Sequence, residues 1–225
     1  MRVQPVTPSS ILRFMADLIM PVDCALCGQP RYALCPACAG SLASRPPSVR
    51  SLPGLRAPLV LATSEHGQIV TLLSRLKDSG QTELARPLGM LLARCLAEAV
   101  IGFTPGCILV TAPNARNSFV ARGFYPVPLM LRRAGLRAER ILVSATGTVD
   151  QRGLTHAERQ RNLRNSLVAD PRIHGLPVVL VEDVVTTGAT VIECVRALTE
   201  AGAHVVGVVA LAAVPRKFPQ SGFNA

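Results

Sequence analysis

The stretch that decides the fold is Val178–Thr190, which reads VVLVEDVVTTGAT. Its leading apolar residues predict a buried strand, and the Thr-Thr-Gly turn predicts a helix that begins at Ala189. Two carboxylates, Glu182 and Asp183, would stand at the carboxyl end of this strand, where ligands of open α/β sheets bind. A helix N-terminus suits a phosphate, and carboxylates accept hydrogen bonds from ribose hydroxyls. The segment therefore predicts a site for a ribose bearing a 5′-phosphate; the alternative is a plain strand-to-helix connection capped by threonines.

Outward from this segment, apolar strands alternate with amphipathic helices. We expect further strands at 59–63, 107–111, 140–143 and 205–211, and helices at 10–20, 69–76, 82–100, 124–133, 155–165 and 189–201. This alternation predicts an α/β fold with a mainly parallel sheet flanked by helices. Three prolines mark a linker at 44–53. We predict an N-terminal helix, cysteine cluster and linker at 1–50, the main domain at 51–215 and a flexible tail at 216–225.

Four of the seven cysteines form two Cys-x2-Cys pairs separated by seven residues, namely Cys24, Cys27, Cys35 and Cys38. Two such pairs favour a structural zinc site with four thiolate ligands, which would supply folding free energy to a region with little core. Disulfides or a redox-active pair are the alternatives. The odd total and the three isolated cysteines indicate a reducing compartment, so we expect a cytoplasmic protein.

Composition excludes two classes of protein. The chain is 49% hydrophobic and 17% charged, which is too apolar for a disordered chain. No apolar run reaches the roughly 18 residues of a spanning helix, so we expect no transmembrane segment. The apolar stretch at 11–20 is interrupted by Arg13 and Asp17, and no signal peptide is expected.

Positive charge is concentrated in one part of the chain. The net charge is +10, and residues 112–172 contain eleven arginines and four acids, which gives that segment +7. Arginine has the planar fork that suits phosphate, so an anionic partner is one interpretation. A solvated surface is the other. Aromatic residues are only 4% of the chain, which disfavours an extensive stacking platform for single strands.

The acid pair and the loop after it resemble the phosphoribosyl-pyrophosphate (PRPP) signature of type I phosphoribosyltransferases. The resemblance implies that Glu182 and Asp183 are catalytic residues that contact the ribose hydroxyls. It also implies a loop around the 5′-phosphate, made of Val185, Thr186, Thr187, Gly188 and Thr190. With the cysteine pairs upstream, the chain resembles the ComF family, named for competence and DNA uptake, from Cys24 to Val214.

Three further segments are similar to that family: Leu76-Lys77 with Gly80; Ala112-Pro113 with Arg116 and Arg122-Gly123-Phe124; and Gln151-x-Gly153-Leu154 with Glu158-Arg159 and Asn162. Arg116 and Arg122 follow a strand end where pyrophosphate would lie. Arg159 would neutralise the leaving pyrophosphate, with Mg²⁺ bridging its oxygens; the alternative is that it pairs with Glu158 or Asp150. The family usually continues Arg-Gly-Phe with Asn-Gln, where this chain has Tyr125-Pro126.

The sequence leaves three functional hypotheses. The first is a phosphoribosyltransferase that moves ribose 5-phosphate from PRPP to an acceptor that the sequence does not specify. The second is a non-catalytic factor of DNA uptake or recombination that binds single-stranded DNA, or a component of the DNA-uptake machinery, through the arginine-rich segment. The third is a regulator that senses PRPP, which the Tyr125-Pro126 departure favours.

Overall fold

The computed structural model describes residues 22–63, 66–99, 106–113, 120, 122–145 and 165–214. The predicted helix at 10–20, the predicted tail at 216–225 and all but the last residue of the predicted helix at 155–165 lie outside the described residues. So do Arg116 and Arg159, two of the predicted site residues.

Within these ranges the chain forms seven strands, in chain order: β1 (Ser48–Arg50), β2 (Leu59–Leu61), β3 (Ile108–Thr111), β4 (Leu142–Ser144), β5 (Leu167–Ala169), β6 (Pro177–Val185) and β7 (His204–Ala213). Five of them form one sheet in the order β1-β2-β7-β6-β3. The pairs β2–β7, β7–β6 and β6–β3 are parallel, and only the short edge strand β1 is antiparallel to its neighbour. β4 and β5 form a separate antiparallel ribbon.

The described residues contain five helices: α1 (Pro36–Ala43), α2 (His66–Asp78), α3 (Ala85–Ala99), α4 (Pro126–Arg133) and α5 (Ala189–Glu200). Short 3₁₀ turns occupy Thr82–Leu84 and Pro171–Ile173. Positive-φ glycines follow the ends of α2, α4 and α5, as expected where a helix stops. The predicted fold class, a mainly parallel sheet between helices, is confirmed.

Alternate residues of the central strands are buried in two separate cores. Val179 and Val181 of β6 pack with α2, α3 and α4 on one face of the sheet. Val178 and Leu180 pack with α5 and the β4–β5 ribbon on the other face. Because side chains alternate along a strand, a strand buried on both faces has a nearly continuous apolar sequence, as β6 does. The acid pair interrupts this run near the carboxyl end of β6.

The cysteine-containing region, residues 22–45, is joined to the main domain by packing and by one arginine. Leu26 and Leu34 pack against the first core. The guanidinium of Arg94, on α3, donates to the carbonyl oxygens of Ala43 and of Arg45, the latter at 2.5 Å, and to that of Ala62 at 3.2 Å. One side chain therefore connects the end of α1 to the carboxyl end of β2.

Several boundaries differ from the predictions. The sequence interpretation has a linker at 44–53, but β1 lies inside it and pairs with β2. β5 was not expected, and β6 continues to Val185, so the acid pair lies within the strand rather than after it. The predicted helix start at Thr82 is a 3₁₀ turn, and α3 begins at Ala85.

In the part of the chain that the structure describes, no helix has the length and apolar character needed to cross a bilayer.

Candidate functional site

The carboxyl ends of the parallel strands meet at one edge of the sheet. Thr111, the last residue of β3, is in register with Val181 of β6, and Glu182 is in register with Ala210 of β7. Thr63, just after β2, donates its N–H to the carbonyl oxygen of Leu211 at 3.2 Å. Residues that follow β2 and β3 therefore reach the level of the acid pair, where ligands of parallel sheets bind.

The two carboxylates leave β6 on opposite faces of the sheet. Side chains alternate along a strand, so Glu182 shares the face of Leu180, which packs with α5. In agreement, the Glu182 carboxylate is among the groups that raise the pKa of Cys194, on α5. Asp183 faces the opposite side and meets Lys77 of α2. The acid pair therefore presents one carboxylate to each side of the sheet edge.

Glu182 carries a buried oxygen that lacks a hydrogen-bond partner among the described residues. Its Oε1 accepts from the N–H of Asp183 at 3.3 Å, and its Oε2 is the unpartnered atom. Burial, reinforced by the neighbouring Asp183 carboxylate, raises the pKa of Glu182 to about 7, although the Asp183 N–H and Lys77 act in the other direction. This carboxyl group is therefore poised to change its charge near neutral pH.

Asp183 is held by two strong contacts. Its Oδ1 accepts from the N–H of Val184 at 2.7 Å, and its Oδ2 lies 2.5 Å from the Nζ of Lys77. The Nε of Arg122 donates to the carbonyl oxygen of Lys77 at 3.1 Å, and its guanidinium lies 3.8 Å from the carboxylate of Asp78. The end of α2 thus connects the predicted Arg122 to the acid pair.

The predicted phosphate loop lies between β6 and α5 beside a small open pocket. The pocket, of about 80 Å³, is lined by Glu182, Val184, Val185, Thr186, Gly188, Thr190 and Val191. The Thr187 hydroxyl accepts from the N–H of Ala189 at 3.3 Å, which orders the turn into α5. Helix N-termini present unpaired N–H groups and a partial positive charge, so this pocket offers an anion its expected donors.

Gly188 has a conformation and a contact that favour glycine. Its φ is +77°, and a Cβ at this position would lie 2.6 Å from the Leu52 side chain. Leu52 follows β1 and is buried. The predicted linker therefore packs directly on the phosphate loop.

The four paired cysteines form a compact cluster. Their sulfur atoms all lie within 4.8 Å of one another, and the Sγ atoms of Cys27 and Cys35 are 3.6 Å apart. Two Zn–S bonds of 2.3 Å in a tetrahedron would place their sulfurs about 3.8 Å apart. The N–H groups of Cys35 and Cys38 point at the sulfurs of Cys24 and Cys35, at 3.3 and 3.5 Å. The predicted grouping is confirmed, and the donor set fits a metal such as zinc.

The thiols of this cluster cannot all ionise without a cation. Burial alone raises the pKa of Cys24, but N–H groups of Cys35, Cys27 and Leu26 lower it to about 6. In contrast, the pKa of Cys38 is raised to about 12, first by its contact with the Cys35 sulfur. Like charges a few ångströms apart disfavour each other, so full deprotonation needs a bound metal ion.

The structure brings together most of the predicted site residues it describes. Glu182 and the loop residues Val185, Thr186, Gly188 and Thr190 share one pocket, with Thr187 in the same turn. Asp183 and Arg122 are joined through Lys77. The sequence interpretation noted Lys77 only as part of a segment similar to the family and gave it no role, and it missed Arg94.

Comparisons with known proteins give a consistent result. The model of the phosphoribosyl transferase domain family matches residues 121–221. DNA utilization protein YhgH of Salmonella typhimurium (strain LT2) is 28% identical over 197 residues, covering 82% of this chain and 86% of that protein. Its counterpart in Escherichia coli (strain K12) is 29% identical over 192 residues, covering 82% and 81%. These matches bear out the predicted resemblance.

One solved structure gives a weaker likeness. A phosphoribosyltransferase from Corynebacterium diphtheriae is 19% identical and covers 65% of this chain and 94% of its own, with a TM-score of 0.36.

The raised pKa of Glu182 predicts a pH-dependent stability. The folded protein binds this proton more tightly than the unfolded chain, whose glutamates titrate near 4.5. The free energy of unfolding should therefore fall as the pH rises from about 4.5 to about 7. Glu182→Gln should remove this fall, so that its free energy of unfolding relative to wild type rises by ~1–3 kcal/mol between pH 5 and pH 8. Urea unfolding across this pH range measures the difference.

Glu139→Gln is the matched control, because Glu139 is exposed and has no ion pair among the described residues. Parallel pH profiles for wild type, Glu139→Gln and Glu182→Gln would contradict the assignment of a near-neutral titration to Glu182.

Proposed function

We propose that the sheet edge binds PRPP or a related ribose 5-phosphate compound, because residues 121–221 match the phosphoribosyl transferase domain family and the chain is similar to DNA utilization protein YhgH. The pocket beside the phosphate loop is the observation that carries this proposal. It combines a helix N-terminus and threonine hydroxyls with the Glu182 carboxylate. Those groups match a phosphate joined to a sugar bearing neighbouring hydroxyls.

The acid pair and the loop have separate roles in this proposal. Thr186, Gly188 and Thr190 hold the 5′-phosphate near the start of α5, with Val185 and Thr187 completing the loop. Asp183 and Glu182 accept hydrogen bonds from the ribose hydroxyls. The unpartnered Oε2 of Glu182 is buried, although Glu182 lines the pocket. A rotation of the side chain would bring this oxygen to a ligand hydroxyl, which would then satisfy it.

Phosphoribosyl transfer is the reaction that this arrangement would support. The bond between ribose C1 and the pyrophosphate oxygen breaks, a bond from C1 to an acceptor nucleophile forms, and the acceptor loses a proton. The departing pyrophosphate keeps the electron pair, so cationic groups near it stabilise the transition state. We assign Arg116, Arg122 and Arg159 to this role, together with Mg²⁺ brought by PRPP. A protein that binds PRPP without transferring it would use the same contacts.

Loss of the Asp183 carboxylate should weaken binding of the ligand. We expect wild type to bind Mg-PRPP and Asp183→Ala to lose at least about tenfold in affinity, because a charged hydrogen-bond acceptor is removed. Isothermal titration calorimetry measures both affinities. Glu139→Ala, which removes an exposed carboxylate, should bind like wild type. A well-folded wild-type protein that gives no binding heat at several temperatures would rule out the ribose-phosphate site.

A second candidate function is binding of single-stranded DNA, which an exposed cluster of arginines favours. Arg132, Arg133, Arg137 and Arg140 lie at the end of α4 and in the segment after it, and all four are exposed. None of them forms an ion pair with an acidic side chain in the part of the chain that the structure describes. Arg140 lies 4.9 Å above the ring of Tyr125, the residue that departs from the family pattern. Such a cluster suits a phosphate backbone.

The triple variant Arg132→Gln, Arg133→Gln, Arg137→Gln tests this second function. Binding of single-stranded DNA should weaken, and the slope of log affinity against log salt should shrink by about 0.7 for each phosphate that the variant no longer neutralises. Fluorescence anisotropy at several salt concentrations measures the slope. The control variant changes Arg56, Arg75 and Arg86, three exposed arginines outside the segment 132–140, to glutamine. Equal slopes for the two triple variants would argue against binding of single-stranded DNA by Arg132, Arg133 and Arg137.

We further propose that the cysteine cluster holds one structural Zn²⁺. Four sulfur donors leave no open coordination position, so the ion would stabilise residues 22–45 rather than react. None of the seven cysteines forms a disulfide among the described residues. Free thiols support a reducing, cytoplasmic location.

Purified protein should contain about one zinc per chain, and a chelator should lower its melting temperature. Cys35→Ser removes a buried ligand and should abolish metal binding, whereas Cys107→Ser, outside the cluster, should retain it. Metal analysis by atomic emission and thermal unfolding provide the two readouts. A metal-free native protein whose mass is lower by four hydrogens would instead establish two disulfides.

A further inference from the structure

Lys77 occupies a position that the sequence interpretation did not explain. It is one of only two lysines in a chain with 24 basic residues, and the other, Lys217, lies outside the described residues. Lys77 is in the last turn of α2, where a cation also interacts favourably with the helix dipole. The helix then stops at Asp78, and Gly80 reverses the chain with a φ of +67°. The end of α2 therefore places Lys77 at the edge of the sheet that carries the acid pair.

The lysine is held in place from two sides. Its Nζ lies 2.5 Å from Oδ2 of Asp183, and the side chains of Lys77 and Asp183 are 26% and 14% exposed. At its backbone, the carbonyl oxygen accepts from the Nε of Arg122. Both partners are residues of the proposed ribose-phosphate site. The pair is partly shielded from water but remains accessible to a ligand.

Binding of the proposed ligand brings negative phosphates close to negative carboxylates, and the positive charge of Lys77 can offset this repulsion. PRPP is a polyanion, and the site presents it with two adjacent carboxylates. These carboxylates are needed for the ribose hydroxyls, yet they repel the phosphates unless a cation offsets their charge. Among the described residues, Lys77 is the cation in direct contact with the acid pair.

We propose that Lys77 is the charge-compensating residue of the ribose-phosphate site. In the unliganded protein its ammonium group occupies Oδ2 of Asp183. When a ribose hydroxyl takes over as the donor to Asp183, the ammonium turns to a phosphate oxygen of the same ligand. The ammonium group and the Asp183 carboxylate therefore both keep a hydrogen-bond partner on binding, and the site carries its own counter-ion. This inference rests on the proposed binding of a ribose 5-phosphate compound.

The proposal predicts a dependence on Mg²⁺ that a purely structural ion pair would not produce. Mg²⁺ neutralises part of the charge of PRPP, so it partly replaces the lysine. Lys77→Met should weaken PRPP binding by at least about tenfold when Mg²⁺ is limiting, since a charged hydrogen bond is lost. Excess Mg²⁺ should recover much of that loss. Lys77→Arg, which keeps the charge, should bind more tightly than Lys77→Met at every Mg²⁺ concentration.

Calorimetric titration of PRPP at a series of Mg²⁺ concentrations tests this dependence on the full-length protein. Arg75→Met is the matched control, because Arg75 is an exposed cation on the same turn of α2 that does not contact the acid pair. Its affinity should stay within about twofold of wild type at each Mg²⁺ concentration. Thermal unfolding of each variant confirms that it is folded, and Lys77→Gln replaces Lys77→Met under the same criteria if the latter does not fold.

The outcomes separate this inference from the proposed function. If wild type and all variants fail to bind PRPP, the proposed ribose-phosphate site is wrong. If wild type binds and Lys77→Met binds like Arg75→Met, the site stands and the role of Lys77 is refuted. A weakening in Lys77→Met that is the same at every Mg²⁺ concentration would also refute it, because that result indicates a structural contact.

Discussion

The pairing of β6 with both of its neighbours is the interaction on which the rest of the structure depends. β6 lies between β7 and β3, parallel to each, and the register aligns Val181 with Thr111 and Glu182 with Ala210. Parallel strands end at the same edge of the sheet, so this pairing gathers the acid pair, the phosphate loop and the residues after β3, and the pairing of β2 with β7 adds the residues after β2. A register shift of one residue would exchange the faces of Glu182 and Asp183.

The alternation along β6 gives two adjacent acids different environments. Glu182 faces α5, where it has one buried oxygen without a partner among the described residues and a raised pKa. Asp183 faces α2, where Lys77 stabilises its charge. Two carboxylates in the same surroundings would both titrate at low pH or would share one proton. Here the fold gives Asp183 a counter-ion in the unliganded protein, whereas burial raises the pKa of Glu182 and makes its charge sensitive to pH.

The sequence predicts what local pattern determines, and it misses what distant packing determines. The apolar run before Glu182 and the turn at Gly188 identified the central strand, the loop and α5, because a strand buried on both faces must be continuously apolar. β1 could not be predicted, since its three residues become a strand only by pairing with β2. The contact of Lys77 with Asp183 joins residues more than a hundred positions apart, and only the packing of α2 on this face of the sheet creates it.

The contacts of the N-terminal region connect the cysteine cluster to the site. Arg94 binds carbonyl oxygens at the end of α1 and at the end of β2, so the position of that region is coupled to the sheet edge. Leu52, in the chain that leads from this region to β2, fills the space beside Gly188. Closely packed interiors transmit displacements rather than absorb them. The segment that leads from the cysteine region into β2 therefore contacts the phosphate loop directly, through the side chain of Leu52.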